Sequence, residues 1–299
     1  MCIYGNKGVY MEIIVGNTSG FCYGVKNAVE GAEKELKLSN QKTYCLGELV
    51  HNKTVTDKLE KDGIVFINDI KEANGKTIIR AHGIEKNVYV EAKKRNIELI
   101  DLTCPNVLKI HDIVEKYSKN GYYIFLIGKK EHPEIIGTYS FSGKQCTIIS
   151  KKEETEKAVQ SLEKTGLKNL LIISQTTYNL QIFEEIVNKI KQDLEEKNIN
   201  IEIKNTICKA TELRQKETEK ISKEVDVMII VGGKNSSNTT KLYDISNKNC
   251  QNVIFVQNSE ELDIKKIKNF EKIGIMAGAS TPKESIDEII KKLEVNTYA

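Results

Sequence analysis

Short apolar runs alternate with longer amphipathic stretches along the chain. Segments such as PNVLKIHDIVEKYSKNG and NLQIFEEIVNKIKQDLEEKN, which lie between the runs, have the spacing of amphipathic helices. A strand followed by a helix, repeated many times, predicts parallel sheets covered by helices. The runs are rich in Ile and Val and lie at 12–17, 42–49, 63–67, 76–83, 97–104, 122–128, 147–150, 169–177, 200–208, 225–233, 252–258 and 272–280.

Three of these predicted strands are followed closely by a cysteine and then by a helical segment. The segments are GNTSGFCYGVKNA, IDLTCPNVLKI and KNTICKATELRQ, and their cysteines are Cys22, Cys104 and Cys208. Each interval between the cysteines matches one small α/β unit. We therefore predict three similar units at 11–103, 104–206 and 207–299, the last with a C-terminal helix. We expect residues 1–10 to be a short extension.

Six other predicted strands end in polar residues. In parallel α/β sheets, ligands bind beyond the carboxyl ends of the strands. We therefore expect these polar groups and the three cysteines to face one central place. The strand ends read LVHN with His51, RAHG with His82, KKEHPE with His132 and Glu134, SQTTYN with Thr176 and Thr177, GGKNSSN with Asn235, Ser236, Ser237 and Asn238, and AGAST with Ser280.

Composition narrows the classes of function. The chain has 299 residues, of which 29% are charged and 39% hydrophobic, and its net charge of +3 gives no support for nucleic-acid binding. No apolar run approaches the length of a membrane span, and the N-terminus does not resemble a secretory signal. Seven cysteines without a CxxC pair argue against a disulfide framework and a zinc ribbon, so we expect reduced thiols in the cytoplasm.

The three repeated cysteines suit a metal centre. Each opens a helix, where backbone N–H groups favour a thiolate, and three ligands leave one coordination position open. A [4Fe–4S] cluster with one non-cysteine iron and a three-cysteine zinc ion both remain possible from these residues. We interpret the other cysteines, Cys2, Cys45, Cys146 and Cys250, as small core residues.

The polar strand ends suit an anion. His51, His82 and His132 offer imidazole donors, and GGKNSSN offers hydroxyl, amide and backbone donors. The chain contains neither a Walker A loop nor G-x-G-x-x-G. Glu134 would act as a proton donor if burial raised its pKa. We interpret His111 as a helix residue without an assigned role.

Taken together, the motifs GFCYGV, LVHN, AHG, TCP, HPEIIGT, SQTT, GGKNSSN and AGAST resemble those of the LytB family, from about Met11 to about Leu293. The resemblance implies three α/β units in a trefoil around an oxygen-sensitive [4Fe–4S] cluster. Cys22, Cys104 and Cys208 would hold this cluster and leave one iron open. Arg80, before AHG, stands where members of the family vary.

The resemblance also implies an activity. Members of the family reductively dehydroxylate (E)-4-hydroxy-3-methylbut-2-enyl diphosphate to isopentenyl and dimethylallyl diphosphate, the last step of the methylerythritol phosphate route. Reduced ferredoxin or flavodoxin supplies the electrons. By motif, Glu134 would donate the proton and Thr176 would relay it. The residues implied to hold the diphosphate are His51, His82, His132, Ser236, Ser237, Asn238 and Ser280.

Two other hypotheses explain part of the pattern. A three-cysteine zinc hydrolase acting on a phosphorylated small molecule would also use an open metal site and anion-binding loops. A non-enzymatic iron–sulfur sensor would explain the cysteines but not the six donor-rich loops. Iron and sulfide analysis after anaerobic preparation distinguishes the zinc protein from the iron–sulfur proteins.

Overall fold

Each of the twelve apolar runs coincides with one β-strand, although β7 begins one residue before its run. The computed structural model describes residues 11–39 and 41–297, so the predicted extension at 1–10 lies outside the described residues. The polar tail of most runs extends beyond the strand, as predicted. The strands are β1 (Glu12–Val15), β2 (Thr43–Leu46), β3 (Ile64–Ile67), β4 (Thr77–Ile79), β5 (Leu99–Asp101), β6 (Tyr123–Ile127), β7 (Cys146–Ile149), β8 (Asn169–Ser174), β9 (Asn200–Lys204), β10 (Val227–Val231), β11 (Asn252–Val256) and β12 (Lys272–Ala277).

Ten α-helices connect and cover these strands in the described ranges. Three short 3₁₀ helices, at Ile70–Glu72, Lys152–Glu154 and Ile264–Lys266, complete the connections. The α-helices are α1 (Tyr23–Leu38), α2 (Lys53–Lys61), α3 (Lys86–Lys94), α4 (Pro105–Lys119), α5 (Pro133–Ser140), α6 (Thr155–Glu163), α7 (Leu180–Asp193), α8 (Lys209–Ser222), α9 (Ser237–Asn249) and α10 (Lys283–Thr297).

The chain divides into two compact units, which are described separately. The first unit contains the described residues up to Lys26, Val50–Lys61 and the chain from Lys209 onward. The second unit contains Asn27–Leu49 and Asp62–Cys208. Helix α1 crosses from the first unit into the second.

Two parallel four-stranded sheets lie in the second unit. Sheet I has the order β3–β2–β4–β5, and sheet II has the order β7–β6–β8–β9. In both sheets the first strand of the series lies between the second and the third, and the fourth is at the edge. This shared order is the structural counterpart of the repeat predicted from the cysteines.

The third sheet lies in the first unit and has the same order. Sheet III runs β11–β10–β12–β1, so the N-terminal strand takes the edge position of a fourth strand. Strand β1 pairs in parallel with β12, from Glu12 opposite Lys272 to Val15 opposite Ile275. The prediction of three parallel-sheet α/β units is therefore confirmed. The unit boundaries at 103/104 and 206/207 stay a prediction. The predicted first unit included β1, which pairs in the structure with the C-terminal strand β12.

Central strands carry the hydrophobic cores. All residues of β6 and β10 are buried, and both strands are continuous runs of apolar side chains. Helices cover both faces of such sheets, so no alternation with polar residues is required. Separate apolar clusters lie on the two faces of sheet II and of sheet III. These cores fix the strand ends from which the site residues project.

Several helices begin at residues that the motifs singled out. Cys104 is the N-cap of α4 and is followed by Pro105, and His132 is the N-cap of α5 and is followed by Pro133. Proline suits the first helical position, where its missing N–H costs no hydrogen bond. Ser236 caps α9, and its Oγ accepts a hydrogen bond from the Thr239 N–H at 3.3 Å. Side-chain capping explains the starts of α5 and α9, whereas α4 begins at Pro105 without a side-chain cap from Cys104.

Within residues 11–39 and 41–297, no helix is both long and apolar enough to cross a membrane.

The first prediction concerns the close packing of α9 on the strand ends. A Cβ atom on Gly278, which follows β12, would overlap Thr239 Oγ1 on α9. We expect Gly278→Ala to lower the free energy of unfolding by about 1–3 kcal/mol, the usual cost of overpacking. Urea denaturation measures this change. In a Thr239→Ala background the same substitution should cost much less, and an equal cost in both backgrounds would contradict the packing explanation.

Candidate functional site

A buried carboxyl group lies at the centre of the second unit. Glu134, in the first turn of α5, is 2% exposed. Thr176, just beyond β8, donates from its backbone N–H to Oε1 and from its hydroxyl to Oε2, both at 2.6 Å. Burial raises the pKa of Glu134 to about 7, and the two hydrogen bonds from Thr176 oppose this rise. Near neutral pH this carboxyl group can therefore both give and accept a proton.

His132 is oriented by the same helix start. Its Nδ1 accepts a hydrogen bond from the Glu134 backbone N–H at 3.1 Å. Because Nδ1 accepts, a neutral ring carries its proton on Nε2, which is then a donor. The ring of His82 meets the His132 ring edge-on, with 5.3 Å between centroids. Two of the three predicted histidines of the anion site therefore lie side by side.

Two of the predicted metal ligands are linked to these groups through the backbone. The Cys208 N–H donates to the Thr176 carbonyl oxygen at 2.9 Å, and the Cys104 N–H donates to the Ala81 carbonyl oxygen at 3.0 Å. Thr176 is the partner of Glu134, and Ala81 precedes His82. In the second unit, the structure therefore connects both cysteines with the acid and the histidines.

Asn106 joins the two cysteine segments directly. It lies in the first turn of α4, two residues after Cys104, and its side-chain Nδ2 donates to Cys208 Sγ at 3.3 Å. Hydrogen bonds of this kind orient the ligands of metal centres. Asn106 was not predicted as a site residue, although it directly follows the TCP motif.

In the first unit, Cys22 directly precedes α1. Its backbone N–H donates to the Ala279 carbonyl oxygen at 3.1 Å, next to Ser280. Helix α8 holds the preceding loop: Arg214 donates to the carbonyl oxygens of Thr18 and Gly20, at 2.7 and 2.8 Å. Because the position of a cysteine depends on the loop that carries it, the Arg214 hydrogen bonds to this loop help to orient Cys22.

The same loop has a second partner on α8. The Glu217 carboxylate accepts hydrogen bonds from the backbone N–H groups of Asn17 and Thr18, both at 2.8 Å. Neither α8 residue was predicted from the sequence, although Arg214 lies within the KNTICKATELRQ segment, because both act on a loop nearly two hundred residues away.

The predicted anion-binding residues of the first unit also come together. The Ser280 hydroxyl donates to the His51 carbonyl oxygen at 3.1 Å, and a Cβ atom on Gly233 would lie 2.6 Å from that oxygen. The loops containing LVHN, GGKNSSN and AGAST are therefore adjacent. Ser237 and Asn238, in the first turn of α9, are buried, and their side-chain polar atoms have no hydrogen-bond partner. Buried polar groups of this kind are costly without a ligand.

The donor set fits a thiolate-bound metal centre. Cys22, Cys104 and Cys208 form no disulfide and are partly exposed, and each lies directly before a helix. Cys45, Cys146 and Cys250 are free and buried, which confirms their interpretation as core residues. Burial raises the pKa of Cys45 and Cys146 to about 12, so they stay protonated. Cys2 lies outside the described residues.

His111 is confirmed as a helix residue. It is buried in α4 and stacks on Phe141, with 4.4 Å between ring centroids. Burial lowers the pKa of His111 to about 4, against the opposing effect of Asp101 and Asp112, so the ring is neutral near pH 7.

The predicted site residues form two sets, one in each unit. That both sets face one central place stays a prediction.

These features define a class: α/β proteins with three parallel sheets of one strand order and cysteines at helix starts suited to a metal centre. A family model described as "LytB protein" matches residues 13–294. The chain belongs to the LytB family, which confirms the resemblance seen in the motifs.

Relatives and solved structures agree with this assignment. The chain is 41% identical to the 4-hydroxy-3-methylbut-2-enyl diphosphate reductase of Alkaliphilus oremlandii and 38% identical to that of Clostridioides difficile, over 95% of this chain and 99% of each relative. The structure of the E-1-hydroxy-2-methyl-but-2-enyl-4-diphosphate reductase from Plasmodium falciparum is similar, with a TM-score of 0.85 and 34% identity. That similarity covers 94% of this chain and 87% of the other.

The second prediction concerns the buried carboxyl group. Between its ordinary pKa of 4.5 and about 7, Glu134 binds more protons in the folded than in the unfolded chain. The free energy of unfolding should therefore fall as pH rises through this range, by on the order of 3 kcal/mol. In urea denaturation, the free energy of unfolding of Glu134→Gln should not show this decrease with rising pH. The exposed Glu131→Gln serves as the control. Parallel pH curves for wild type and Glu134→Gln would contradict the shifted pKa.

Proposed function

We propose that this protein is a 4-hydroxy-3-methylbut-2-enyl diphosphate reductase. The reaction takes the allylic alcohol diphosphate, two electrons and two protons, and gives isopentenyl or dimethylallyl diphosphate and water. The C–O bond to the hydroxyl group breaks, one proton leaves with it as water, and the other proton joins the allylic carbon skeleton. This is the last step of the methylerythritol phosphate route to isoprenoids.

The observation that carries the proposal is the contact of Thr176 with both Glu134 and Cys208. It connects a carboxyl group that titrates near neutral pH with a candidate metal ligand, through one residue. Reductive removal of a hydroxyl group needs a proton donor beside the group that delivers electrons. Membership of the LytB family and the names of the relatives give the same reaction.

We assign Cys22, Cys104 and Cys208 as the ligands of a [4Fe–4S] cluster with one iron open. Their partial exposure and their positions before helices support this, as does the Asn106 hydrogen bond to Cys208. When bound, the cluster supplies electrons and a Lewis-acidic iron for the substrate hydroxyl group. The chain's own residues bind the diphosphate and deliver protons.

Glu134 is the proton donor in this proposal, and Thr176 relays the proton. The Thr176 hydroxyl donates to Glu134 in the free protein and can turn to donate to the departing hydroxyl group. The protonated carboxyl group then replaces that proton. Burial keeps water away from Glu134 and holds its pKa near the pH at which it works.

The diphosphate needs several donors in a closed pocket, because it carries up to three negative charges. We assign this role to His51, His82, His132, Ser236, Ser237, Asn238 and Ser280. The unpartnered side-chain atoms of Ser237 and Asn238, at the N-terminus of α9, support the assignment. So does the tautomer of His132, whose Nε2 carries the donating proton.

We further propose that reduced ferredoxin or flavodoxin is the electron donor and that the protein works in the cytoplasm. None of the six described cysteines forms a disulfide, which suits a reducing compartment.

The third prediction concerns the metal ligands. Anaerobically purified wild type should contain iron and sulfide and reduce the diphosphate substrate with an artificial electron donor. Replacing Cys22, Cys104 or Cys208 by Ala should lower iron content and activity at least tenfold, because each supplies one of three ligands. Elemental analysis, sulfide assay and visible absorption measure this. Cys45→Ala is the matched control, because this buried thiol is not a proposed ligand.

Several outcomes would contradict the assignment. Full turnover in Cys104→Ala would remove this cysteine from the ligand set. Zinc without sulfide in the wild-type protein would favour a hydrolase. Tight diphosphate binding with an intact cluster but without turnover would favour a sensor.

The fourth prediction concerns the proton donor. Glu134→Gln should keep the cluster and a KM within about threefold, while kcat falls by about 10²- to 10⁴-fold. In wild type, kcat should fall as pH rises through about 7, because only the protonated Glu134 can donate. Steady-state kinetics from about pH 5.5 to about pH 8.5, roughly 1.5 units either side of this value, test both statements. Glu131→Gln should behave like wild type. A kcat of Glu134→Gln near the wild-type value would remove Glu134 from the role.

A further inference from the structure

A four-residue turn at the end of β4 carries His82. The turn runs from Arg80 to Gly83, and the Gly83 N–H donates to the Arg80 carbonyl oxygen at 3.0 Å. The Arg80 side chain closes it a second time, because Nε donates to the Gly83 carbonyl oxygen at 3.3 Å. A single residue therefore fixes both ends of the turn, with its backbone and with its side chain.

The guanidinium group of Arg80 is itself fixed from the other side. It packs on Gly47, just after β2, and a Cβ atom on Gly47 would overlap Arg80 Nη1. Gly47 has φ +72°, a conformation that glycine adopts without strain. Glycine thus allows the guanidinium group to lie against the backbone of the neighbouring strand end. The side chain spans from β2 to the turn after β4.

Displacement of this turn would reach the site directly. His82 is its third residue and lies edge-on to His132. Ala81 donates to the Leu49 carbonyl oxygen at 3.2 Å and accepts from the Cys104 N–H at 3.0 Å. These backbone bonds hold Ala81 from both sides, whereas the Gly83 carbonyl oxygen is held by the Arg80 side chain. Loss of the side chain should therefore loosen His82 more than Cys104.

A cavity of about 650 Å³ lies beside the guanidinium group in the second unit. Arg80 lines it together with Gly47, Ile84 and Lys94, and none of the residues assigned to substrate or cluster does. A cavity of this size admits a small cation when the side chain is removed. It therefore allows a chemical test of Arg80 that leaves the catalytic residues in place.

We propose that Arg80 is a positioning residue that holds His82 in place for the diphosphate, by clamping the Arg80–Gly83 turn against the end of β2. The role of His82 toward the diphosphate rests on the proposed function, whereas the clamp itself does not. Arg80 acts through His82 and is not assigned a contact with the substrate. Lysine cannot replace it, because one ammonium group cannot bond Gly83 and pack flat on Gly47 together.

The test uses the cluster-loaded protein and three variants. In Arg80→Ala we expect KM for the diphosphate substrate to rise at least tenfold, with kcat and iron content within about threefold of wild type, because ground-state binding is lost. Methylguanidinium at millimolar concentration should enter the cavity and lower the KM of Arg80→Ala at least threefold. Arg80→Lys should share the defect. Arg95→Ala, an exposed arginine at the end of α3, should change neither KM nor the response to methylguanidinium.

A second measurement does not depend on activity. The chain has four histidines, so a protein labelled at histidine gives four ring signals by NMR. Arg80→Ala should shift and broaden the His82 signal, with a smaller change at His132, and methylguanidinium should reverse the change. The His111 ring packs against Gly83, the last residue of the turn, so its signal should change as well.

Three results would overturn the proposal: an unchanged His82 signal in Arg80→Ala, full function in Arg80→Lys, or a KM increase that ethylammonium reverses as well as methylguanidinium does. A uniform loss of all four histidine signals would show a folding role alone and would also overturn it. Wild type that does not reduce the diphosphate would contradict the proposed function, and the NMR result would then decide the clamp by itself.

Discussion

Thr176 uses all three of its polar groups in the site. Its N–H and hydroxyl donate to Glu134, and its carbonyl oxygen accepts from Cys208. Because these bonds share one residue, the acid and the cysteine cannot shift independently. The rest of sheet II serves to hold this residue, since β8 is buried and packs between β6 and β9. The proposed proton donor and the proposed metal ligand are thus held by a single strand end.

The site carries costs that the cores offset. Burying Glu134 disfavours its charged form, and Ser237 and Asn238 keep buried polar atoms without partners. Continuous apolar strands such as β6 and β10 bury apolar surface, and the free energy gained from this burial offsets the cost of these groups. A site prepared for an anion and a proton is therefore less stable than an apolar one would be. This agrees with the general expectation that local rules fail at functional positions.

Local pattern predicted much of the architecture. Apolar runs bounded by polar residues gave all twelve strands, because burial on both faces requires uninterrupted apolar side chains in a parallel sheet. The helix starts at His132 and Ser236 follow from side-chain capping, and the start after Cys104 follows from Pro105; both signals are also local. The pairing of β1 with β12 was not predictable, because strands carry no local mark of their partner.

The sequence by itself determined which residue types stand at the strand ends: thiols, imidazoles, a carboxyl group and hydroxyl groups, each just beyond an apolar run. Only the tertiary structure decided how they are held. The bond from Asn106 to Cys208 and the bonds of Arg214 and Glu217 to the loop before Cys22 join residues far apart in the chain. Such contacts depend on how strands and helices pack, and spacing along the sequence carries no record of them.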